Sequence, residues 1–426
     1  MADTIKKLTI EGFKSIRRLE DFELHSLNVL IGANGAGKSN FVGFFRLLRE
    51  LIDQRLALAV RLEGGADRCL YMGPKVTQRL VAKLYFGPYR YEFALVPTVD
   101  NRLVFEREGV GSRAYYKGDL LTTDVSLGSG HAGPKFPWPG KAVRLRDLGS
   151  LGLGHAESKL KEELAVAGTP EYDALAAVSS WVVYHFHDTS PTAGVRRQGP
   201  INDNEFLRPN AENLAAFLYR VRETNPTNYA KIRDLVRLAA PFFDDFKLRP
   251  VPTDPEMIQL EWLQKESDYP FLASHLSDGT LRFICMATAL LQPSLPPTVL
   301  FDEPELGLHP FALTLLANLF QQAAGQVRKA VTHRVIVSTQ SAPLLNHFAP
   351  EDVVVVERAE GQSTFRRLES AHLLEWLAEY TLGELWQKNI LGGRPQSEEA
   401  RRPSDGSSVP SQAPHPDEPT AEDHRS

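Results

Sequence analysis

The sequence predicts an α/β fold: a mixed sheet with flanking helices, an antiparallel β subdomain and an inserted α/β region. Three observations point there. An apolar strand at residues 27–31 runs into a glycine-rich loop and then into a helical pattern. Within residues 78–106 the segments RLVAKLYFG, YRYEFALVP and RLVFERE alternate and are separated by turn residues, as in an antiparallel meander. The runs TVLFDEP and RVIVSTQ are apolar on both faces, which suits the middle of a parallel sheet covered by helices.

In chain order, Leu8 and Ile10 flank Thr9 in a first strand that ends at a Gly12 turn. From Ser39 onward Phe41, Phe44, Phe45, Leu48 and Leu51 recur at three- and four-residue steps, so the glycine-rich loop sits at a strand-to-helix junction and this stripe is core. Residues 107–154 are rich in glycine, contain Pro134, Pro137 and Pro139, and show little periodicity; they read as a long excursion from the sheet. Helical stretches are expected near residues 158–166 and 172–179, then a strand at WVVYHF and a polar loop over 188–208. Another helical pair, near 211–223 and 229–238, leads into alternating segments around 246–248 and 257–263. From Phe271 the order is helix, strand, helix, strand. Leu373, Leu374, Trp376, Leu377, Tyr380, Leu382, Leu385 and Trp386 make an apolar helix pair expected to pack on the body.

The chain has 426 residues, 42% hydrophobic and 24% charged, which excludes collagenous, mucin-like and wholly disordered classes. Its formal charge of −5 is skewed: residues 395–426 carry seven acids and three bases, so the body before them is close to neutral. Any nucleic-acid contact must therefore come from a local patch. The tail from Pro395 holds six Pro and six Ser with one large aliphatic, Val409, and is expected to be disordered. Only Cys69 and Cys285 occur, the N-terminus lacks an apolar signal region, and no stretch approaches the roughly 18 apolar residues of a membrane helix. A cytoplasmic setting without membrane insertion is the expectation.

Residues 32–39, GANGAGKS, fit the phosphate-loop pattern: two glycines five positions apart, then Lys and a hydroxyl residue. Glycines let successive N–H groups turn toward a β-phosphate, and the following helix offers its positive end. Lys38 neutralises β- and γ-oxygens and Ser39 ligates Mg²⁺. The candidate nucleotide-binding residues are Gly32, Asn34, Gly35, Gly37, Lys38, Ser39 and Asn40. A plain glycine-rich turn is the bland alternative, and the strand-before, helix-after context argues against it. The strand TVLFDE ends in two carboxylates: Asp302, placed to hold Mg²⁺ together with Ser39, and Glu303, placed to polarise attacking water.

The 264 residues separating Lys38 from Asp302 require an insertion. Upstream of the acids stands LSDGT at residues 276–280, and with it the chain resembles the ABC-type ATPases, whose signature reads LSGGQ ahead of a helix and the acidic strand. A Ser-Asp-Gly helix cap would explain those five residues as well. DEPELGLHP at 302–310, STQS at 338–341 and the opening LTIEGFKSI look like the RecF-like and SMC-like group, whose ATPase core is split by an inserted region. The resemblance implies an ABC-type P-loop NTPase head, with core halves at residues 1–106 and 270–392, an inserted α/β region at 107–269 and a tail from 393. It also implies an ATP-dependent homodimer in which Ser277, Asp278 and Gly279 of one copy face the Lys38 loop of the other. Two positions depart from that family. Gln340 stands where the family has its switch histidine; it can sense the γ-phosphate or orient water but cannot carry a proton. His309 stands where the dimer-contact loop usually has Asp. Slow hydrolysis is the consequence to expect.

Weaker signals remain open. His185 and His187 in YHFHDTSP are two apart on a strand-like run: a metal site lacks a third ligand, structural histidines are the alternative, and the segment could also occupy the family's glutamine-loop position. Arg196 and Arg197 read as a solvated loop or as a phosphate contact. Three roles follow for an ATP- and Mg²⁺-dependent ATPase of this group. One is a DNA-associated clamp in repair or chromosome maintenance, with double-stranded DNA as partner. The second is a defence or signalling sensor working with a separate effector protein, since the residues after STQS are too few for a fused Toprim-type nuclease. A membrane-transport subunit is disfavoured by the size of the insertion, and the absence of long heptads excludes a long-armed SMC protein.

Overall fold

The computed structural model describes residues 4–116, 119–129, 142–147, 155–160, 170–325, 327–328 and 331–393. All of them belong to one compact unit, Met1–Arg394. The tail expected to be disordered lies outside the described residues, as do residues 161–166 of the helix expected over 158–166, whose described residues 158–160 are not helical.

Six strands form the sheet at the centre, in the order Gln362–Arg367, Val353–Ala359, Leu27–Ile31, Arg334–Ser338, Thr298–Asp302 and Trp181–Tyr184. Every neighbouring pair is parallel except the edge hairpin Val353–Ala359 with Gln362–Arg367. Successive side chains of these strands divide between two cores. Val299, Phe301, Val335, Val337, Val353 and Val355 join a cluster built with the helices Leu214–Thr224, Pro226–Ala239, Asp278–Leu291 and Pro310–Gly325. Leu30, Leu300, Ile336, Val354 and Val356 join a second cluster, built with the helix Lys38–Ile52 and an antiparallel sheet. Both faces are thereby removed from water, which is why these strands read as continuous apolar runs.

The antiparallel sheet runs Ile16–Glu23, Lys7–Phe13, Leu80–Phe86, Tyr89–Pro97, Leu103–Tyr116 and Asp119–Ser129, with Ala142–Asp147 joined in parallel at its edge. The meander expected over 78–106 is there, but the sheet continues through much of the segment read as an excursion. Backbone ladder bonds need no side-chain periodicity, and the long strand Leu103–Tyr116 pairs along its length despite Gly109 and Gly111. One buried carboxylate ties residues 155–160 to this sheet. Glu108 accepts from Tyr91 Oη at 2.7 Å, the Lys159 amide at 3.0 Å and the Ser158 hydroxyl, and its Oε2 lies 2.9 Å from His155 Nε2.

The core boundaries drawn at 107 and 269 put WVVY in the inserted region, whereas the structure makes Trp181–Tyr184 an integral strand beside Thr298–Asp302. The helices between them match expectation closely in order: Pro170–Val178, Leu214–Thr224 and Pro226–Ala239. Two short helices, Leu374–Leu377 and Leu382–Gln387, replace the expected apolar pair. Leu373, Leu382 and Leu385 are buried, but Leu374 and Trp376 face solvent.

Trp181 is 1% exposed and meets Phe45 edge-on at 5.7 Å. It links the edge strand to the helix behind the loop. Trp181→Ala is expected to cost about 3–5 kcal/mol in chemical denaturation; a loss under ~1 kcal/mol would contradict this packing.

Candidate functional site

The loop at residues 32–37 leaves the central strand Leu27–Ile31 at its carboxyl end and enters the helix Lys38–Ile52. Gly32, Gly35 and Gly37 have φ of 153°, 77° and 116°, a region that costs other residues dearly. A Cβ at Gly32 would strike the Val356 carbonyl, and one at Gly37 the Ser363 and Ser15 hydroxyls. Those hydroxyls form a support behind the loop. Ser363 Oγ donates to the Ala36 carbonyl at 2.5 Å and lies 2.7 Å from Ser15 Oγ, to which Asn40 Nδ2 donates at 2.7 Å. Asn40, a candidate for nucleotide contact, here holds that support.

The helix starts at Gly37 with no side-chain cap and no acid in its first turn. Its first N–H groups and the positive end of its dipole are therefore left for an anion. Lys38 is buried, and its Nζ donates to the Gly32 carbonyl at 2.7 Å and the Ala33 carbonyl at 3.1 Å. Burial pushes its ammonium pKa down, opposed by the charges of Glu303, Asp302 and Glu305. Asn34, Gly35 and Ser39 are exposed at the loop's rim.

The acidic strand end faces this loop. Asp302 is register-paired with Ser338, whose Oγ donates to Asp302 Oδ1 at 2.6 Å, and Arg46 Nη2 lies 3.7 Å from Asp302 Oδ2. Glu303 has φ of +45°, rare for a side-chain-bearing residue, and its N–H donates to the Ser338 carbonyl at 2.8 Å. Strain of this kind is held only where surrounding contacts over-determine it. Gln340 Nε2 donates to Glu303 Oε1, and the Gln340 N–H donates to Glu305 Oε1 at 2.7 Å. Burial pushes the Glu305 carboxyl above the usual range, against the pull of the Gln340 amide. Glu303 and Gln340, far apart in sequence, are thus in direct contact.

Ser277 caps the helix Asp278–Leu291 by accepting from the Thr280 N–H at 3.2 Å, and Ser277 and Asp278 are exposed. Gly279 is buried so closely on the Gly307 backbone that a Cβ would collide with its carbonyl. Among the described residues no hydrogen bond joins 277–279 to the Lys38 loop of the same chain. His309, in the turn that follows Gly307, accepts from the Phe311 N–H at 3.3 Å. Arg196 is neither solvated nor free for a phosphate: its guanidinium donates to the Thr189, Ala273 and Leu276 carbonyls and pairs with Asp278 at 2.8 Å. Arg282 donates to the Phe186 carbonyl at 3.1 Å, His187 carbonyl at 2.8 Å and Leu306 carbonyl at 3.0 Å. His185 and His187 are exposed just past the strand Trp181–Tyr184, and His185 lies in the field of Arg46 and Asp302. Among the described residues no cluster of three His, Cys, Asp or Glu could hold a metal.

Sequence reasoning missed Arg46, Ser338, Glu305, Arg282, Ser15 and Ser363 as parts of this site. Arg46 lies eight residues beyond Lys38, about two helical turns and so on the same side. Ser338 and Glu305 stood inside STQS and DEPELGLHP. Ser15 stood inside LTIEGFKSI, whereas Ser363 carries no local signal, because only the tertiary fold brings it to the loop. The donor set suits a magnesium nucleotide: a glycine cradle, an uncapped helix start, a lysine, and hydroxyl and carboxylate oxygens of the kind a hard cation takes.

The family described as "AAA domain, putative AbiEii toxin, Type IV TA system" matches residues 170–346. No curated protein matches the chain by sequence. Among solved structures the chain is similar to an SMC head bound to the C-terminal winged-helix domain of ScpA, with a TM-score of 0.52 and 14% identity, covering 87% of this chain and 99% of that one. An SMC head with an extended coiled coil, bound to the C-terminal domain of ScpA from Pyrococcus furiosus, aligns with a TM-score of 0.48 and 14% identity, covering 88% and 99%. Among the described residues no helix is long and apolar enough to cross a membrane. The chain has the fold of an SMC head.

Proposed function

We propose that the protein binds and hydrolyses Mg-ATP and that ATP drives pairing of two copies of the head. The observation that carries this reading is the uncapped N-terminus at Gly37, with Lys38 beside it, facing the carboxylates of Asp302 and Glu303 across the carboxyl edge of one parallel sheet. The backbone N–H groups of Gly35, Gly37 and Lys38 bind phosphate oxygens, and Lys38 neutralises their charge. Ser39 and Asp302 would hold magnesium, which when bound screens the β- and γ-phosphate oxygens. Ser338 and Arg46 orient the Asp302 carboxylate for that task. Glu303 accepts the proton of the attacking water, and Gln340 orients water or γ-phosphate by its amide. The exposed Ser277 hydroxyl, the Gly279 amide and the start of their helix supply donors for the γ-phosphate on the opposite copy.

The output of the switch has two readings. The first is a DNA-associated clamp in repair or chromosome maintenance, with duplex DNA as ligand. A second, a sensor working in the cytoplasm with a separate effector protein, is favoured by the match of residues 170–346 to the AbiEii toxin description. An SMC head of similar fold binds a winged-helix domain, which supports a protein partner for this head too. Gel shifts and ATPase assays with and without duplex DNA separate the two. Salt-sensitive, ATP-stimulated DNA binding selects the clamp, and a co-purifying protein without DNA affinity selects the sensor.

Lys38→Ala is expected to abolish the calorimetric heat of Mg-ATP binding. Glu303→Gln should retain binding, lower turnover by about 10²-fold or more, and accumulate an ATP-bound dimer in light scattering. A wild-type chain that gives no heat with magnesium nucleotides overturns the reading.

A further inference from the structure

Gln340 is bound at two ends. Its side-chain amide donates to Glu303 Oε1, and its backbone N–H donates to Glu305 Oε1 at 2.7 Å. The residue itself is exposed at the end of the strand Arg334–Ser338, where no strand hydrogen bond fixes it, so its orientation depends on what holds its backbone. Glu305 is well placed for that task. It is half-buried, follows the strained turn at Glu303, and its own carbonyl accepts from the Leu308 N–H at 3.1 Å. The two ends of Gln340 are thereby fastened to the same short turn, residues 303–305.

We propose that Glu305 is a positioning residue: by accepting the Gln340 N–H it supplies the fixed pivot from which the Gln340 amide reaches Glu303. This rests on the ATPase reading above and goes further, because it assigns a role to an acid that touches neither the phosphate loop nor Asp302. The pivot needs an oxygen acceptor rather than a charge. Burial already disfavours the ionised carboxyl, in keeping with that requirement. A glutamine at 305 keeps a carbonyl oxygen in the same place, whereas an alanine removes it.

The test uses the full chain and two readouts. In hydrogen–deuterium exchange the Gln340 amide should be protected in the wild type and in Glu305→Gln, and should exchange roughly 10-fold faster or more in Glu305→Ala. In steady-state ATPase assays Glu305→Ala should lower kcat about 10-fold with Mg-ATP affinity unchanged within ~2-fold. Glu305→Gln should stay close to wild type, and Glu305→Ala should add little to Gln340→Ala. Unchanged Gln340 exchange in Glu305→Ala overturns the proposal, as does a Glu305→Gln chain as impaired as Glu305→Ala. A wild type with no ATP turnover defeats the ATPase reading instead, and the exchange measurement still decides the pivot.

Discussion

The constraint on which the site depends is the parallel pairing of the strands Leu27–Ile31, Arg334–Ser338 and Thr298–Asp302 with both faces of the sheet buried. Parallel strands end together, so the loop of Gly32, the Ser338 hydroxyl and the Asp302 carboxylate arrive at one edge. A one-residue slip would exchange the side chains of Leu300 and Phe301 between two different cores, so register is strongly specified. The carboxyl edge of such a sheet is also where open α/β folds bind ligands.

That edge is held on both sides. Behind the loop, Ser363 from the edge hairpin and Ser15 from the start of the chain keep Ala36 and Gly37 in place. Beside the acids, Arg282 fastens the segment after Trp181–Tyr184 to the helix Asp278–Leu291 and to the turn at Leu306, while Arg196 fixes the residues on either side of Ser277. Thr189 is shared: its carbonyl accepts from Arg196 and its hydroxyl from Arg282. The surface carrying Ser277 is thus joined by part-buried and exposed guanidinium hydrogen bonds to the segment next to Asp302. Bonds of this kind to carbonyls are costly to leave unmade, which makes the arrangement stiff.

Much of the fold and candidate site was legible because the signals are local. The glycine-rich loop, the acidic strand end and the Ser277 helix cap each occupy fewer than ten residues, and each carries its own backbone requirement: positive φ, a parallel strand end, a helix start. The runs of Val, Ile and Phe announced a sheet covered on both faces. Less legible were features made by contacts between distant segments. The strand Trp181–Tyr184 looked like part of an insertion because four apolar residues have no marker for which sheet they join. The second half of Leu103–Tyr116, from Gly109 on, hid among glycines, since ladder pairing is a backbone property. Arg196 read as a surface residue because arginine is usually solvated, and only its partners Thr189, Ala273, Leu276 and Asp278 turn it inward.

The amino-acid sequence by itself determined the chemistry available: a glycine cradle ending in Lys38 and Ser39, the Asp302 and Glu303 carboxylates, and an amide at Gln340 in place of an imidazole. Tertiary structure alone decided which of these groups meet. It set Gln340 against Glu303 and Glu305, Ser338 and Arg46 against Asp302, and Arg196 against Leu276 and Asp278. Side-chain identity is a property of each residue, whereas a hydrogen bond between residues dozens of positions apart exists only once the strands that carry them are paired in register.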